Sequence, residues 1–135
     1  MNERGDRVIA IVDDDDSVCR SVGSLLASLN YRVKTFASAE AFLLSSRRVD
    51  TVCLVLDLHM SGMSGLELLQ GQAVEGRQVP TIVLTGHAGD EARKECLRAG
   101  AIAFFKKPCD ARVLCATVKA AMHHATLFSH TDVTA

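Results

Sequence analysis

Residues 8–16 read VIAIVDDDD, an apolar run of five residues that ends in four aspartates. An uninterrupted apolar run of this length is typical of a strand buried on both faces, as in a parallel sheet. From Asp15 or Asp16 onward the apolar residues recur at helical spacing. The stretch therefore predicts a strand followed by a helix, with carboxylates at the junction, where the helix dipole favours negative charge.

The same alternation of strands and helices continues through the chain. Further apolar runs predict strands over residues 31–36, 51–57, 80–85 and 101–106. Helix-start signals predict that further helices begin near Ser38, Ser64, Asp90 and Asp110. Five strand–helix units within 135 residues predict one α/β domain, in which helices cover both faces of a parallel sheet.

The composition argues against several classes of protein. Fifteen Lys and Arg stand against sixteen Asp and Glu, and a net charge of −1 does not favour direct binding to nucleic acid or to an anionic membrane. No apolar run approaches the roughly 18 residues of a membrane-spanning helix, and the polar start MNERGDR is unlike a secretory signal, so we expect a cytoplasmic protein. Five cysteines without a CxxC pair predict reduced, mostly buried thiols.

Chemically useful side chains follow the predicted strands. Ligands bind at the carboxyl ends of the strands in open parallel sheets. The residues found there are Asp13, Asp14, Asp57, Thr85 and Lys107. Any single aspartate among them could be a turn residue or a helix cap, since Asp is favoured in both roles. Three carboxylates, a hydroxyl and an ammonium at one edge are better explained as a site for phosphoryl transfer.

Carboxylates crowded at one sheet edge repel one another unless a cation lies among them. Their oxygens suit Mg²⁺, with Mn²⁺ as a substitute, and Mg²⁺ sites are often completed by phosphate oxygens. Lys107 would add a fixed positive charge, and a carboxylate could itself be the nucleophile that forms an acyl phosphate. The residues thus predict metal-dependent phosphoryl chemistry.

Four motifs resemble the response-regulator receiver domain, the CheY-like phosphoacceptor domain of two-component signalling. In chain order they are IVDD at 11–14, LDLHMSGMSG at 56–65, VLTG at 83–86 and FKKP at 105–108. The sequences of the second and third motifs are most similar to those of the FixJ/NarL branch, whose members are commonly transcription factors. The resemblance implies a flavodoxin-like (βα)₅ fold with strand order 2-1-3-4-5.

The resemblance also implies a domain boundary. A receiver domain would occupy residues 1–124, and the aperiodic residues 125–135 would form a flexible tail. Members of the FixJ/NarL branch continue into a helix-turn-helix domain. We expect no output domain in this chain, so it would either act alone through protein contacts or be a fragment of a longer protein.

The resemblance implies a phosphoacceptor and a metal site. Asp57 would accept the phosphoryl group from a sensor histidine kinase. Asp13, Asp14 and Asp57 would hold Mg²⁺ together with the backbone carbonyl of His59. A receiver domain of this kind promotes phosphoryl transfer to itself and slow loss of the group, so it is not expected to be an enzyme acting on separate substrates.

A conformational switch is implied as well. Thr85 would bond a phosphoryl oxygen, Lys107 would pair with it, and Phe104 occupies the position of the family's rotating aromatic residue. The Lys107–Pro108 peptide bond is expected to be cis, as in relatives. The surface that changes would comprise the fourth helix, the fifth strand and the fifth helix, through which relatives often dimerise.

Two positions depart from the family pattern. Ser61 replaces a usual proline and Cys109 a usual phenylalanine, from which we expect an altered phosphoryl lifetime or stability.

Three alternative functions differ in what they require of the sequence. A Mg²⁺-dependent phosphatase or phosphotransferase of the haloacid-dehalogenase type would need an aspartate where His59 stands. An FMN carrier would need hydroxyls, not four aspartates, after the first strand. A degenerate receiver that serves only as an interaction module is a further alternative.

Overall fold

A parallel sheet of five strands forms the centre of the molecule. The computed structural model describes residues 7–86 and 89–132, and the side chains of 7–86 and 89–123. The strands are β1 (Val8–Val12), β2 (Val33–Phe36), β3 (Thr51–Leu56), β4 (Thr81–Thr85) and β5 (Ala103–Lys106). Their order is β2-β1-β3-β4-β5, and every pairing is parallel, which confirms the predicted topology.

Five α-helices connect and flank the strands. They are α1 (Asp16–Ala27), α2 (Ala39–Leu44), α3 (Gly65–Glu75), α4 (Asp90–Arg98) and α5 (Ala111–Asp132). A short 3₁₀ helix over Ser46–Asp50 precedes β3 and was not predicted. Within the described residues, no helix combines the length and the apolar character needed to cross a membrane.

The sheet separates two apolar clusters, because successive side chains of a strand point to opposite faces. The first core cluster lies between the sheet and helices α1 and α5, and includes Ile9, Ile11, Val55, Leu26 and Val118. The second core cluster lies against α2, α3 and α4, and includes Val12, Leu56, Phe42, Leu68 and Cys96. Each fully buried aliphatic side chain stabilises the fold by about 1.5–3 kcal/mol.

The helix starts follow the predicted capping residues. Asp15 accepts hydrogen bonds from the backbone N–H groups of Ser17 and Val18 at the start of α1. Ser38 caps α2 in the same way. These side chains satisfy backbone donors that have no partner within the first helical turn.

The second strand begins two residues later than predicted. The prediction began at Tyr31, but the backbone N–H of Tyr31 bonds back to the carbonyl of Leu26. Asn30 adopts a left-handed conformation with φ of 70° in the same turn. Tyr31 therefore belongs to the turn after α1, and β2 starts at Val33.

Helix α5 continues into the segment predicted to be a tail, residues 125–135. The backbone of α5 stays helical to Asp132, beyond the expected end of the domain at residue 124. No glycine or proline occurs between residues 111 and 132, so nothing in the sequence breaks the helix there. The predicted tail residues 133–135 lie outside the described residues.

Candidate functional site

The aspartates that follow β1 and β3 lie together at the carboxyl edge of the sheet. Val12 and Leu56 are paired in register, so the residues after them are neighbours. One carboxylate oxygen from each of Asp13, Asp14 and Asp57 lies within 4.8 Å of the others. We call these three residues the acidic cluster. Asp13 and Asp57 are buried, with 3% and 6% of their surface exposed, whereas Asp14 is exposed.

Both carboxylate oxygens of Asp13 accept hydrogen bonds. The backbone N–H of Asp15 donates to Oδ1 at 2.9 Å. The ammonium of Lys107 donates to Oδ2 at 2.7 Å. Burial raises the pKa of Asp13, and these two hydrogen bonds counter only part of that effect.

Lys107 links the two buried carboxylates. Its Nζ lies 2.7 Å from Asp13 Oδ2 and 3.6 Å from Asp57 Oδ2. Burial alone would lower the pKa of Lys107, but the hydrogen bond to Asp13 and the nearby negative charges outweigh it and raise the pKa. The backbone N–H of Lys107 donates to the carbonyl of Thr85 at 2.8 Å, and the peptide bond to Pro108 is cis.

Asp57 keeps one carboxylate oxygen without a protein partner. Its Oδ1 is buried and accepts no hydrogen bond from the described residues. A buried polar atom left unpaired costs about 1–3 kcal/mol. Three clustered carboxylates, of which Asp57 has a buried oxygen without a partner among the described residues, make a donor set that fits a hard divalent cation such as Mg²⁺.

The other predicted site residues lie on β4, on β5 and in the loop after Asp57. Thr85 ends β4 and is fully buried. Phe104 pairs in register with Val83, and its half-buried ring packs against the second core cluster. The side chain of His59 is exposed in the loop after Asp57.

One residue near this loop was missed by the sequence reasoning. Glu40, in the first turn of α2, accepts a hydrogen bond from the backbone N–H of Met63 at 2.8 Å. The two residues are 23 positions apart, and no local pattern links them. The glycine at position 62, next to Met63, was the available sequence signal for a tight turn in this loop. In the structure its backbone is left-handed, with φ of 79°.

Comparisons with known proteins agree with this arrangement. Residues 9–119 match the family model described as the response regulator receiver domain. The chain is 39% identical over 122 residues to the response regulator protein TmoT of Ectopseudomonas mendocina. The aligned region covers 90% of this chain and 55% of TmoT. It is 37% identical to the transcriptional regulatory protein FixJ of Rhizobium meliloti strain 1021, covering 88% of this chain and 58% of FixJ.

Solved structures give the same result. A crystal structure of FixJ-N is 37% identical with a TM-score of 0.78, covering 87% of this chain and 94% of that chain. A structure of the response regulator StyR is 31% identical in sequence with a TM-score of 0.86, and the match covers 95% of this chain and 65% of the StyR chain. The chain thus spans nearly all of FixJ-N but only about half the length of the full-length relatives it matches.

Proposed function

The chain belongs to the response-regulator receiver domain family, and from that premise we propose that phosphorylation of Asp57 switches it between two states. The observation that carries the proposal is the acidic cluster with Lys107, in which Asp57 is buried beside an ammonium and keeps Oδ1 unpaired. The phosphodonor would be a sensor histidine kinase, and the domain would act on its own aspartate rather than on a separate substrate.

We propose Mg²⁺ as the cofactor, with Mn²⁺ as a substitute. Asp13, Asp14, Asp57 and the backbone carbonyl of His59 would hold it, and the clustered carboxylates support this assignment. When bound, the cation would neutralise negative charge on the phosphoryl oxygens. A phosphatase acting on small molecules is not favoured, because the chain matches receiver domains over most of its length.

Besides the cation, the transfer needs a nucleophile and a fixed positive charge, which side chains of this chain would supply. A carboxylate oxygen of Asp57 would attack the phosphorus of a phosphohistidine, and the new P–O bond would form as the P–N bond breaks. The leaving imidazole nitrogen keeps the electron pair of that bond and takes up a proton. Lys107 would stabilise the charge on the transferred group, and the Thr85 hydroxyl would donate to one of its oxygens.

The output would follow from movement of Thr85 and Phe104. Thr85 ends β4, and Phe104 lies on the adjacent strand β5, where it packs against the second core cluster. A shift of Thr85 toward a phosphoryl group would therefore change the space available to Phe104. The α4–β5–α5 face would then bind partners or a second copy of the chain. We further propose that the chain acts in the cytoplasm, that its receiver boundary is residue 124, and that it does not itself bind nucleic acid.

Phosphoryl uptake tests the proposed function directly. With acetyl phosphate and Mg²⁺, we expect intact-mass analysis to show one added phosphoryl group on the wild type and none on Asp57→Asn. Asp50→Asn is a matched control, since Asp50 lies in the 3₁₀ helix before β3, away from the carboxyl edge of the sheet. No uptake by the wild type, or equal uptake by Asp57→Asn, would contradict the proposal.

A further inference from the structure

The loop that follows Asp57, residues 58–64, is closed at its base by Gly65. We call it the β3–α3 loop. The backbone N–H of Gly65 donates to the carbonyl of Leu58 at 3.1 Å. A Cβ atom added at Gly65 would lie 2.2 Å from the carbonyl oxygen of Asp57, so only glycine permits this approach. The base of the loop therefore has a fixed geometry at the phosphoacceptor itself.

The tip of the β3–α3 loop is held from outside, by α2. Oε2 of Glu40 accepts the hydrogen bond from Met63 N–H at 2.8 Å. A Cβ atom added at Gly62 would lie 2.4 Å from the same oxygen, so the carboxylate lies directly against the loop backbone. Hydrogen bonds to an ionised acceptor are about twice as strong as neutral ones. The bond from Met63 lowers the pKa of Glu40, so the acceptor stays ionised further into the acid range than an ordinary glutamate.

The loop lacks the residue that would shape it from within. Gly62 has φ of 79°, in the left-handed region, and proline is often found directly before such a residue in tight turns. Ser61 stands at that position. Serine leaves φ free, whereas proline would fix it near −65°. The hydrogen bond from Met63 N–H to Glu40 is therefore a restraint that the loop tip receives from outside the loop.

We propose that Glu40 is a positioning residue that holds the β3–α3 loop in place of a proline at position 61, and thereby sets the Mg²⁺ affinity of the acidic cluster. The loop contains His59, whose backbone carbonyl is assigned above as a metal ligand, so the inference rests on the proposed function. Glu40 would act through the loop, without touching the cation. Partners that orient metal ligands typically change affinity by about 10–100-fold when removed.

Two variants of Glu40 separate the hydrogen bond from the charge. Glu40→Ala removes the acceptor, and we expect Mg²⁺ affinity, measured by titration calorimetry, to fall by about tenfold. Glu40→Gln loses the charge but keeps a carbonyl oxygen that can accept a weaker hydrogen bond from Met63 N–H, so its affinity should fall clearly less than that of Glu40→Ala. In metal-free protein, amide hydrogen exchange at Met63 should accelerate in Glu40→Ala and much less in Glu40→Gln.

A second substitution tests the proposed replacement of proline. Ser61→Pro, introduced into Glu40→Ala, should restore most of the lost Mg²⁺ affinity, because proline would fix the backbone just before Gly62. Failure to restore it would show that Glu40 does not act by holding the loop.

Other outcomes would overturn the inference in different ways. Unchanged affinity in Glu40→Ala would contradict it and leave the proposed function intact. Equal losses in Glu40→Gln and Glu40→Ala would indicate a long-range effect of charge instead of positioning. A wild type that binds no Mg²⁺ would contradict both this inference and the proposed metal site, whereas phosphoryl uptake tests the phosphoacceptor separately.

Discussion

At the scale of single residues, the two buried carboxylates of the acidic cluster differ in how fully they are engaged. Asp13 uses both oxygens, one with the Asp15 N–H and one with Lys107. Asp57 has only a longer contact of 3.6 Å to Lys107, and its Oδ1 has no partner among the described residues. Asp57 is therefore the carboxylate whose oxygens are more available for reaction, although both follow strands in the same way.

The positions of these residues could be predicted from the sequence, but their pairing could not. Asp13, Asp57 and Lys107 each follow an apolar run, and parallel strands bring such residues to one edge. The sequence reasoning expected Lys107 to pair with a phosphoryl group, and in the structure it lies closest to Asp13. The preference of Lys107 for Asp13 rests on the difference between 2.7 Å and 3.6 Å, which strand patterns do not contain.

The five thiols should differ in reactivity. Burial raises the pKa of Cys53 to about 12, so its reactive thiolate is scarce at neutral pH. Cys109 and Cys115 are half-buried, whereas Cys53 is fully buried. Iodoacetamide at about pH 7.5, roughly one unit below the usual thiol pKa, reacts with the small thiolate fraction of each cysteine. Mass spectrometry should then find Cys115 and Cys109 labelled before Cys53.

Denaturant provides the control for thiol labelling. In urea all five cysteines should react at similar rates, because burial no longer distinguishes them. Labelling of Cys53 in the native protein as fast as labelling of Cys115 would show that β3 opens readily to solvent, contrary to its position in the centre of the sheet.

At the scale of elements, α3 has a complete capping box. The Ser64 side chain accepts from the N–H of Glu67 at 3.1 Å, and the Glu67 carboxylate accepts from the N–H of Ser64 at 2.8 Å. Residue types predicted this start, since Ser followed three residues later by Glu is a local signal. The 3₁₀ helix over Ser46–Asp50 carries a weaker signal, because a single turn has little periodicity to detect.

Removal of the α3 cap should destabilise the fold measurably. Ser64→Ala leaves the Glu67 N–H without its acceptor, and we expect the free energy of unfolding in urea to fall by about 1 kcal/mol. Ser24→Ala is the matched control, since Ser24 is exposed within α1 and is not a cap. That control should change stability by less than about 0.5 kcal/mol, in the stabilising direction. Equal losses in both variants would argue against the capping box.

At the scale of the whole molecule, the sheet order and the two apolar clusters could be predicted from the sequence. The contacts between side chains on elements far apart in the chain could not. Strands apolar on both faces required helices on both sides, and the family resemblance supplied the strand order. The contact between Glu40 and Met63 depends on how α2 sits against the β3–α3 loop, which is set by packing of Phe42 into the second core cluster. The continuation of α5 to Asp132 was not predicted, because the sequence after residue 124 showed no helical period.

Mg²⁺ should stabilise the whole fold if the acidic cluster binds it. A ligand that binds only the native state adds about 2.7 kcal/mol to the free energy of unfolding at one hundred times its Kd. We expect Tm to rise with Mg²⁺ concentration in the wild type and to rise much less in Asp14→Asn, whose exposed side chain is not part of either core cluster. Sodium chloride at matched ionic strength is the control, and an equal rise with that salt would indicate general screening instead of a metal site.

The contact between Lys107 and Asp13 joins residues that are 94 positions apart, and Asp57 lies between them in the chain. A polypeptide made from its amino end thus exposes all three carboxylates well before the ammonium that pairs with them has been synthesised. Until β5 docks, like charges oppose the approach of β1 and β3 at this edge, and contacts of such long sequence separation are slow to form. The completed acidic cluster is consequently a marker of a finished sheet, assembled only when the last strand is in place.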